Sequence, residues 1–420
     1  MGALVACRRP GPAPVLPDAG APLQDAAPDA PAFALCTAGP PRWIVQGHAG
    51  SDDAGATPGY ESVDVAGGRV LVTDARTGRV TLVPHETGPA ASFPLGGEHS
   101  DPRLVVLPGP EGPLPLVAWV RQSLAGRHHV VRVGPRLDRG CEQPEGRDEG
   151  LSLAASTTAR GALLVWDEDG PEPAAGHIMA HVVTPAEARP VGPNGAAGGC
   201  PAPHQISPPE QDASDPVAVR LGDGAAVFWL ASRDVSGGEE HNETVTDLWG
   251  VALSPAGLVR GAPLRLTRAP GHRFGIALAS AEAGTVWVAW RNAPDSDSES
   301  RGDGGEVALA RVTATAGGLG RVDRTAVVNE AGSVPTGAPV IWAEGLRVSV
   351  WWRDRREGRV VTVRRPVDPT GQPDPAGPRV EPAAEGALPH AGLAAEGSPG
   401  VGLLQPGPGG GLAVVRLRCP

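Results

Sequence analysis

The residues of this chain that could do chemistry are carboxylates and guanidiniums. Short apolar strands recur along the sequence. Arg121, Arg233, Arg291 and Arg353 stand just past the ends of four of them, and Asp167, Glu168 and Asp169 stand past a fifth. Guanidinium forks gathered on one rim would bind an anionic ligand such as a carboxylated sugar. The four arginines with Asp167 and Asp169 form the candidate ligand-binding set. The competing reading is that these arginines pair with neighbouring acids. A second set lies in Asp295-Ser-Asp297-Ser-Glu299, with Glu306 at the twelfth position. Alternating carboxylates supply the several oxygens that a calcium ion requires. Ser300 stands where a calcium loop has its turn glycine, so a solvated acidic loop is the alternative. Calcium is the one cofactor to consider, and none is required.

Other chemistry is excluded. His177 and His181, four apart on a strand, would be separated by about 13 Å along one face, too far to share an ion. His128 and His129 point to opposite faces. No Gly-x-Ser-x-Gly elbow is present, and no cysteine stands in a nucleophile setting. The basic residues number 36 and the acidic 47, for a net charge of −11. Every basic residue is arginine, so neither a Schiff-base lysine nor a Walker-A lysine is available. The acidic balance argues against a nucleic-acid partner.

The elements that must position these residues form a repeat. Tryptophans close apolar runs at 119, 166, 229, 290 and 351, for example Ala225-Ala-Val-Phe-Trp229 and Val286-Trp-Val-Ala-Trp290. Weaker copies are Arg69-Val-Leu-Val-Thr-Asp74 and Gly400-Val-Gly-Leu-Leu404. Each unit reads as four short strands, punctuated by the 59 glycines and 47 prolines of the chain. This pattern predicts an all-β fold: a single seven-bladed β-propeller over 36–420 with four-stranded blades, six blades being the alternative. The tryptophans then lie in the inter-blade core. The segments Arg233–Thr246 and Arg291–Gly305 read as long neighbouring loops on one face.

Unit seven offers only three strands. Its fourth is expected from Arg42-Trp-Ile-Val-Gln46, so that an N-terminal strand closes the ring. Closure brings Cys36 toward Cys419 and predicts a bridge between them. Cys141 and Cys200 then pair by elimination, linking loops of units two and three. The alternative, free thiols, would require a reducing compartment.

Several motifs resemble those of the bacterial sialidase-like propellers. Trp352-Arg-Asp-Arg355 and Trp229-Leu-Ala-Ser-Arg-Asp234 look like their strand ends, and Ser51-Asp-Asp53-Ala-Gly55-Ala-Thr57 resembles an Asp-box, with Pro58 in place of its tryptophan. The resemblance implies a propeller. A sialidase would need a tyrosine nucleophile with a carboxylate partner, and the one tyrosine, Tyr60, has no matching carboxylate. The start, Leu4-Val5-Ala6-Cys7, resembles the lipobox of bacterial lipoproteins, with Cys7 as the acylated residue. Residues 1–7 then read as a truncated signal and 8–35, rich in Pro, Ala and Asp, as a disordered tether. Together these expectations describe an exported, lipid-anchored monomer of the bacterial cell envelope. It would bind a protein or carbohydrate without catalysis and touch the membrane only through its anchor. The alternatives are a carbohydrate-active enzyme, hydrolase or lyase, using carboxylates at the mouth, and a calcium-dependent adhesion module.

Overall fold

The computed structural model describes the chain between residues 36 and 418. It does not describe residues 46–61, 85–90, 145–151, 170–175, 193–197, 237–241, 294–303, 382–386, 391–401, 407–411 and a few short turns. Cys7, the 8–35 segment, the Asp-box-like turn, Tyr60 and Cys419 therefore lie outside the described residues. Residues 35–420 cluster as one compact unit. Every named element among the described residues is a strand. Among the described residues no helix is long and apolar enough to cross a membrane.

These strands form seven sheets, antiparallel except where Gly198–Gly199 joins the second sheet in parallel. The fourth is the clearest: Asp212–Leu221, Gly224–Ser236, Asn242–Leu253 and Val259–Arg265, each hydrogen-bonded to the next. The fifth (His272–Ala281, Thr285–Ala293, Glu306–Thr315, Gly318–Val327) repeats the order, as does the sixth (Pro335–Glu344, Arg347–Arg356, Arg359–Val367, Arg379–Val380). The first strands of sheets one to six touch in succession and line the centre. This is the β-propeller arrangement.

Second strands are apolar because they are covered on both faces. Ala225 to Trp229 are fully buried, as are Ala162 to Val165. Alternate residues face alternate neighbours. Phe228 and Leu230 of the fourth sheet pack on Val288 and Trp290 of the fifth, while Trp287 and Ala289 pack on Val350 and Trp352 of the sixth. The tryptophans are inter-sheet core, as their apolar strands imply.

The register corrects one position of the repeat. First strands of sheets two, four, five and six carry a bulge, between Ser100/Arg103, Ser214/Val217, Phe274/Ala277 and Thr336/Val340. Opposite these bulges stand Trp119, Trp229, Trp290 and Trp352. The repeat tryptophan of sheet six is thus Trp352. Trp351 faces the other way, into the cluster of Cys36, Ala387, Leu403, Val415 and Leu417.

The ends meet as the missing strand requires. Sheet seven comprises Leu388–His390, Gly402–Pro406 and Leu412–Arg418, and its outer edge is the N-terminal pair Thr37–Ala38 and Arg42–Val45. Thr37 stands opposite Arg418 and Ala38 opposite Leu417. Cys36 is buried and disulfide-bonded. Its N–H donates to Glu381 Oε2 at 3.1 Å, 345 residues away.

Cys141 and Cys200 are bonded, at 2.08 Å. The setting differs from the expected link between loops of two units. After the third strand of sheet three, the chain returns to sheet two. Arg189–Pro190 and Gly198–Gly199 pair there with Arg139–Pro144, and Cys141 stands opposite Gly198. The bridge therefore pins this excursion to the sheet it visits.

Between sheets two and three lies a buried aromatic stack. Trp166 is 4.3 Å from the His129 ring and 5.3 Å from the His181 ring, centroid to centroid. Burial first, then the His129 and His204 rings, pushes the His181 imidazole down to about 3.

Two outcomes are expected. Trp352→Ala should cost about 3–5 kcal/mol in denaturant unfolding, the range for emptying a buried aromatic site. His181 stays neutral in the folded chain to about pH 3 but takes up a proton near its ordinary 6.5 when unfolded. Stability should fall as pH drops from 6.5 toward 3, and His181→Leu should flatten that slope in urea melts at stepped pH. An unchanged slope would show that His181 does not carry this linkage.

Candidate functional site

The bulges set the local geometry at one end of the central strands. The residue that opens each bulge has a positive φ in three sheets: Asp215 at 51°, Gly275 at 62° and Gly337 at 67°. Glycine adopts this conformation freely. For Asp215 it costs roughly 1–2 kcal/mol.

Asp215 is held by two hydroxyls. Ser152 Oγ donates to its Oδ1 at 3.0 Å and Ser214 Oγ to its Oδ2 at 3.4 Å. The Ser152 backbone N–H donates to Asp167 Oδ1 at 3.2 Å. One serine thus ties a carboxylate of sheet three to a carboxylate of sheet four. Asp215 is exposed and Asp167 half-buried. Burial pushes the Asp167 carboxyl up to about 6. The Ser152 N–H opposes that shift, and the Asp215 charge adds to it.

The cluster adjoins a cavity of about 600 Å³ between the first strands, lined by Asp64, Arg103, Leu104, Leu153, Pro216 and Val217 among others. Its charged groups bond across sheets. Asp64 Oδ2 accepts from the Leu104 N–H at 2.6 Å, and Arg103 Nε donates to the Leu153 carbonyl at 2.6 Å.

The four sequence-predicted arginines do not share one setting. Arg121 pairs with Glu142 at 2.7 Å, and Arg132 joins the same carboxylate at 3.0 Å. Arg233 pairs with Asp247 at 2.6 Å, beside Arg265 at 2.5 Å and Arg273 at 3.8 Å. Arg291 is fully buried over the Phe274 ring at 4.6 Å and donates to the carbonyls of Gly337 and Gly304. Arg353 is half-buried, and burial lowers its pKa. A Cβ added at Gly337 would lie 2.6 Å from Arg353 Nη2, so glycine serves both space and φ there. By register, Arg291 and Arg353 hold equivalent places one residue past the repeat tryptophan, and Asp167 holds that place after Trp166. Asp169 lies farther along the same strand, opposite Gly176.

Asp295, Asp297 and Glu299 lie outside the described residues. Glu306 is exposed and accepts from Asn292 Nδ2 at 3.4 Å. Among the described residues no group of three or more His, Cys, Asp or Glu side chains could hold a metal ion. Arg233–Thr246 is less loop than expected, because the flanking strands stay paired as far as Ser236 and Asn242. Val235 and Thr244 to Thr246 suit an extended hairpin.

Ser152, Asp215, Asp64 and Arg103 were not singled out from the sequence. One signal was present: Ser-Asp-Pro occurs at both 100–102 and 214–216, at equivalent bulges.

No protein-family model matches the chain. No curated protein matches it either. Among solved structures, it is similar to BBS1N from a complex with ARL6DN, with a TM-score of 0.46, 11% identity, and 90% of this chain and 97% of that chain covered. It is also similar to a thermostable family-43 glycoside hydrolase (TM-score 0.38, 10% identity, 72% and 99% covered). A third is Aleuria aurantia lectin, in complex with alpha-methyl-L-fucoside (TM-score 0.39, 12% identity, 78% and 97% covered). Likenesses this distant carry no argument about activity, which rests on the site's own geometry.

The raised Asp167 pKa has a stability consequence. The folded chain holds this proton to about pH 6, the unfolded chain only to 3.8. The stabilisation is complete below 3.8 and lost as pH rises through 6. Asp167→Asn should therefore gain on the wild type by about 1–2 kcal/mol between pH 4 and pH 8, allowing for solvent screening. Denaturant melts at both pH values measure the difference, and a constant gap would place the Asp167 pKa near its ordinary value.

Proposed function

We propose that this protein is a non-catalytic, exported binding protein that holds a carbohydrate at the bulged end of its central cavity. The observation that carries this reading is the Asp167–Ser152–Asp215 cluster. Carboxylate oxygens beside a cavity are acceptors for the hydroxyls of a sugar. Ser152 also weighs against hydrolysis. A glycosidase needs its two carboxylates about 5–10 Å apart with the scissile bond between them. Here one serine donates to both.

The Cys141–Cys200 bridge and the bonded state of Cys36 support an oxidising compartment. Acylation at Cys7, residence at the cell envelope and action as a monomer complete the proposal. A net charge of −11 is consistent with a partner other than nucleic acid.

The test is calorimetric titration of the purified full chain with neutral and acidic oligosaccharides. At least one should bind, and Asp215→Ala should weaken it tenfold or more with an unchanged melting temperature. Release of reducing ends that Asp167→Asn abolishes would replace this reading with a hydrolase. Binding by no oligosaccharide, or binding indifferent to Asp215→Ala, would reject it.

A further inference from the structure

A second charged surface lies on the outer strands of sheet five. Glu306–Thr315 and Gly318–Val327 pair so that Arg311 stands directly opposite Arg324 and Thr313 opposite Arg321. Like charges directly opposite on a sheet destabilise the pair. These residues line a groove of about 700 Å³, with Thr315, Asp323 and Thr370 completing its polar wall.

The groove holds three guanidiniums and one carboxylate, in a chain whose net charge is −11. Asp323 is already engaged, by the Thr313 hydroxyl and by Arg321 Nε at 2.7 Å. Among the described residues Arg311 and Arg324 form no ion pair, and Arg311 Nε is buried with no hydrogen-bond partner. Arg311 lies over Trp287, 5.9 Å from the ring centroid. That tryptophan is 2% exposed, so it offers no open face to a nucleobase. The polar wall is made of hydroxyls and guanidiniums.

We infer that this outer groove binds an acidic polysaccharide, its carboxylate or sulfate groups taken by the Arg311–Arg324 pair and Arg321, and its hydroxyls by the threonines. Guanidinium forks match both oxyanions. The site is built from the third and fourth strands of its sheet, whereas the carbohydrate cluster above is built around first strands, so the two readings stand or fall separately.

The probes are a galacturonate hexamer, a heparin hexasaccharide, an uncharged hexasaccharide and an oligothymidylate of matched charge, titrated into the full chain at low salt. At least one acidic sugar should bind in an Arg324-dependent way, and any binding of the uncharged one should be indifferent to Arg324. Arg324→Glu should weaken binding at least tenfold, while Arg220→Glu, the same charge change at an exposed position of sheet four, should leave it within twofold. Should Arg324→Glu lower the melting temperature, Arg321→Glu serves instead, its side chain being 84% exposed. Which acidic sugar binds decides between carboxylate and sulfate. Absence of binding by either would overturn the inference. Equal losses from Arg324→Glu and Arg220→Glu would reduce it to general attraction and overturn it as well. Oligothymidylate binding as tightly, with the same Arg324 dependence, would assign the groove to a nucleic-acid partner instead.

Discussion

The structure depends on one packing arrangement: a tryptophan on the second strand of a sheet set against a bulge on the first. A flat four-stranded sheet cannot bury an indole on one face and keep its central strand close to its neighbours. The bulge supplies the extra length and twist that re-aims the first strand. Trp119, Trp229, Trp290 and Trp352 each stand opposite such a bulge and each is at most 2% exposed. The same feature turns backbone carbonyls and short polar side chains toward the adjoining sheet. Gly337 offers its carbonyl to Arg291 of the sheet before, and Asp215 meets Ser152 of the sheet before. The device that packs the ring also builds its polar end.

Buried charge then fixes how the sheets sit against one another. Asp247 of sheet four gathers Arg233 and Arg265 of its own sheet and Arg273 of the next. Arg273 also donates to the carbonyls of Thr246, Gly271 and Ala269, a task for which lysine lacks the donors. Glu381 binds Arg364 at 2.6 Å and the Cys36 N–H at 3.1 Å, which ties the closing N-terminal segment to the region just after sheet six. Ion pairs this deep contribute little net stability against their desolvation cost. Their effect is on register, since a slip of one residue would leave the buried members, Asp247, Arg273, Arg364 and Glu381, without these partners.

The repeat was legible because it rests on near neighbours in sequence. Apolar runs ending in tryptophan, turns of Gly and Pro, and a missing last strand answered by Arg42–Val45 are local patterns with a single consistent ring. What was not legible depends on register across sheets. Trp351 and Trp352 are adjacent, and a period-two pattern does not say which faces sheet five. The choice is made by the sheet-six bulge, which holds Gly337, Ala338 and Pro339 between paired residues where the other sheets hold two. The Cys141–Cys200 pairing followed from counting cysteines, but the return of 189–199 to sheet two did not, because two-residue strands carry no periodic signal. Asp167 was visible as a strand-end acid. Its partners were not, since Asp215 is 63 residues from the serine that joins them.

Repetition also provides an internal control on what packing alone demands. The place one residue past the repeat tryptophan is filled by Val120, Leu230, Arg291, Arg353 or Asp167. Val120 and Leu230 are 2% and 3% exposed and need no polar partner. An apolar side chain therefore satisfies the backbone and the neighbouring sheet at this place. Asp167 there raises its own pKa and draws on the Ser152 N–H, and Arg291 draws on two carbonyls. Neither choice is required by the fold, and for Asp167 burial works against its charged form. The same reasoning applies at the outer edge, where Arg311 faces Arg324 although opposed like charges weaken a strand pair. The ligand contacts proposed for Asp167 and for the Arg311–Arg324 pair would account for why the chain bears these two costs.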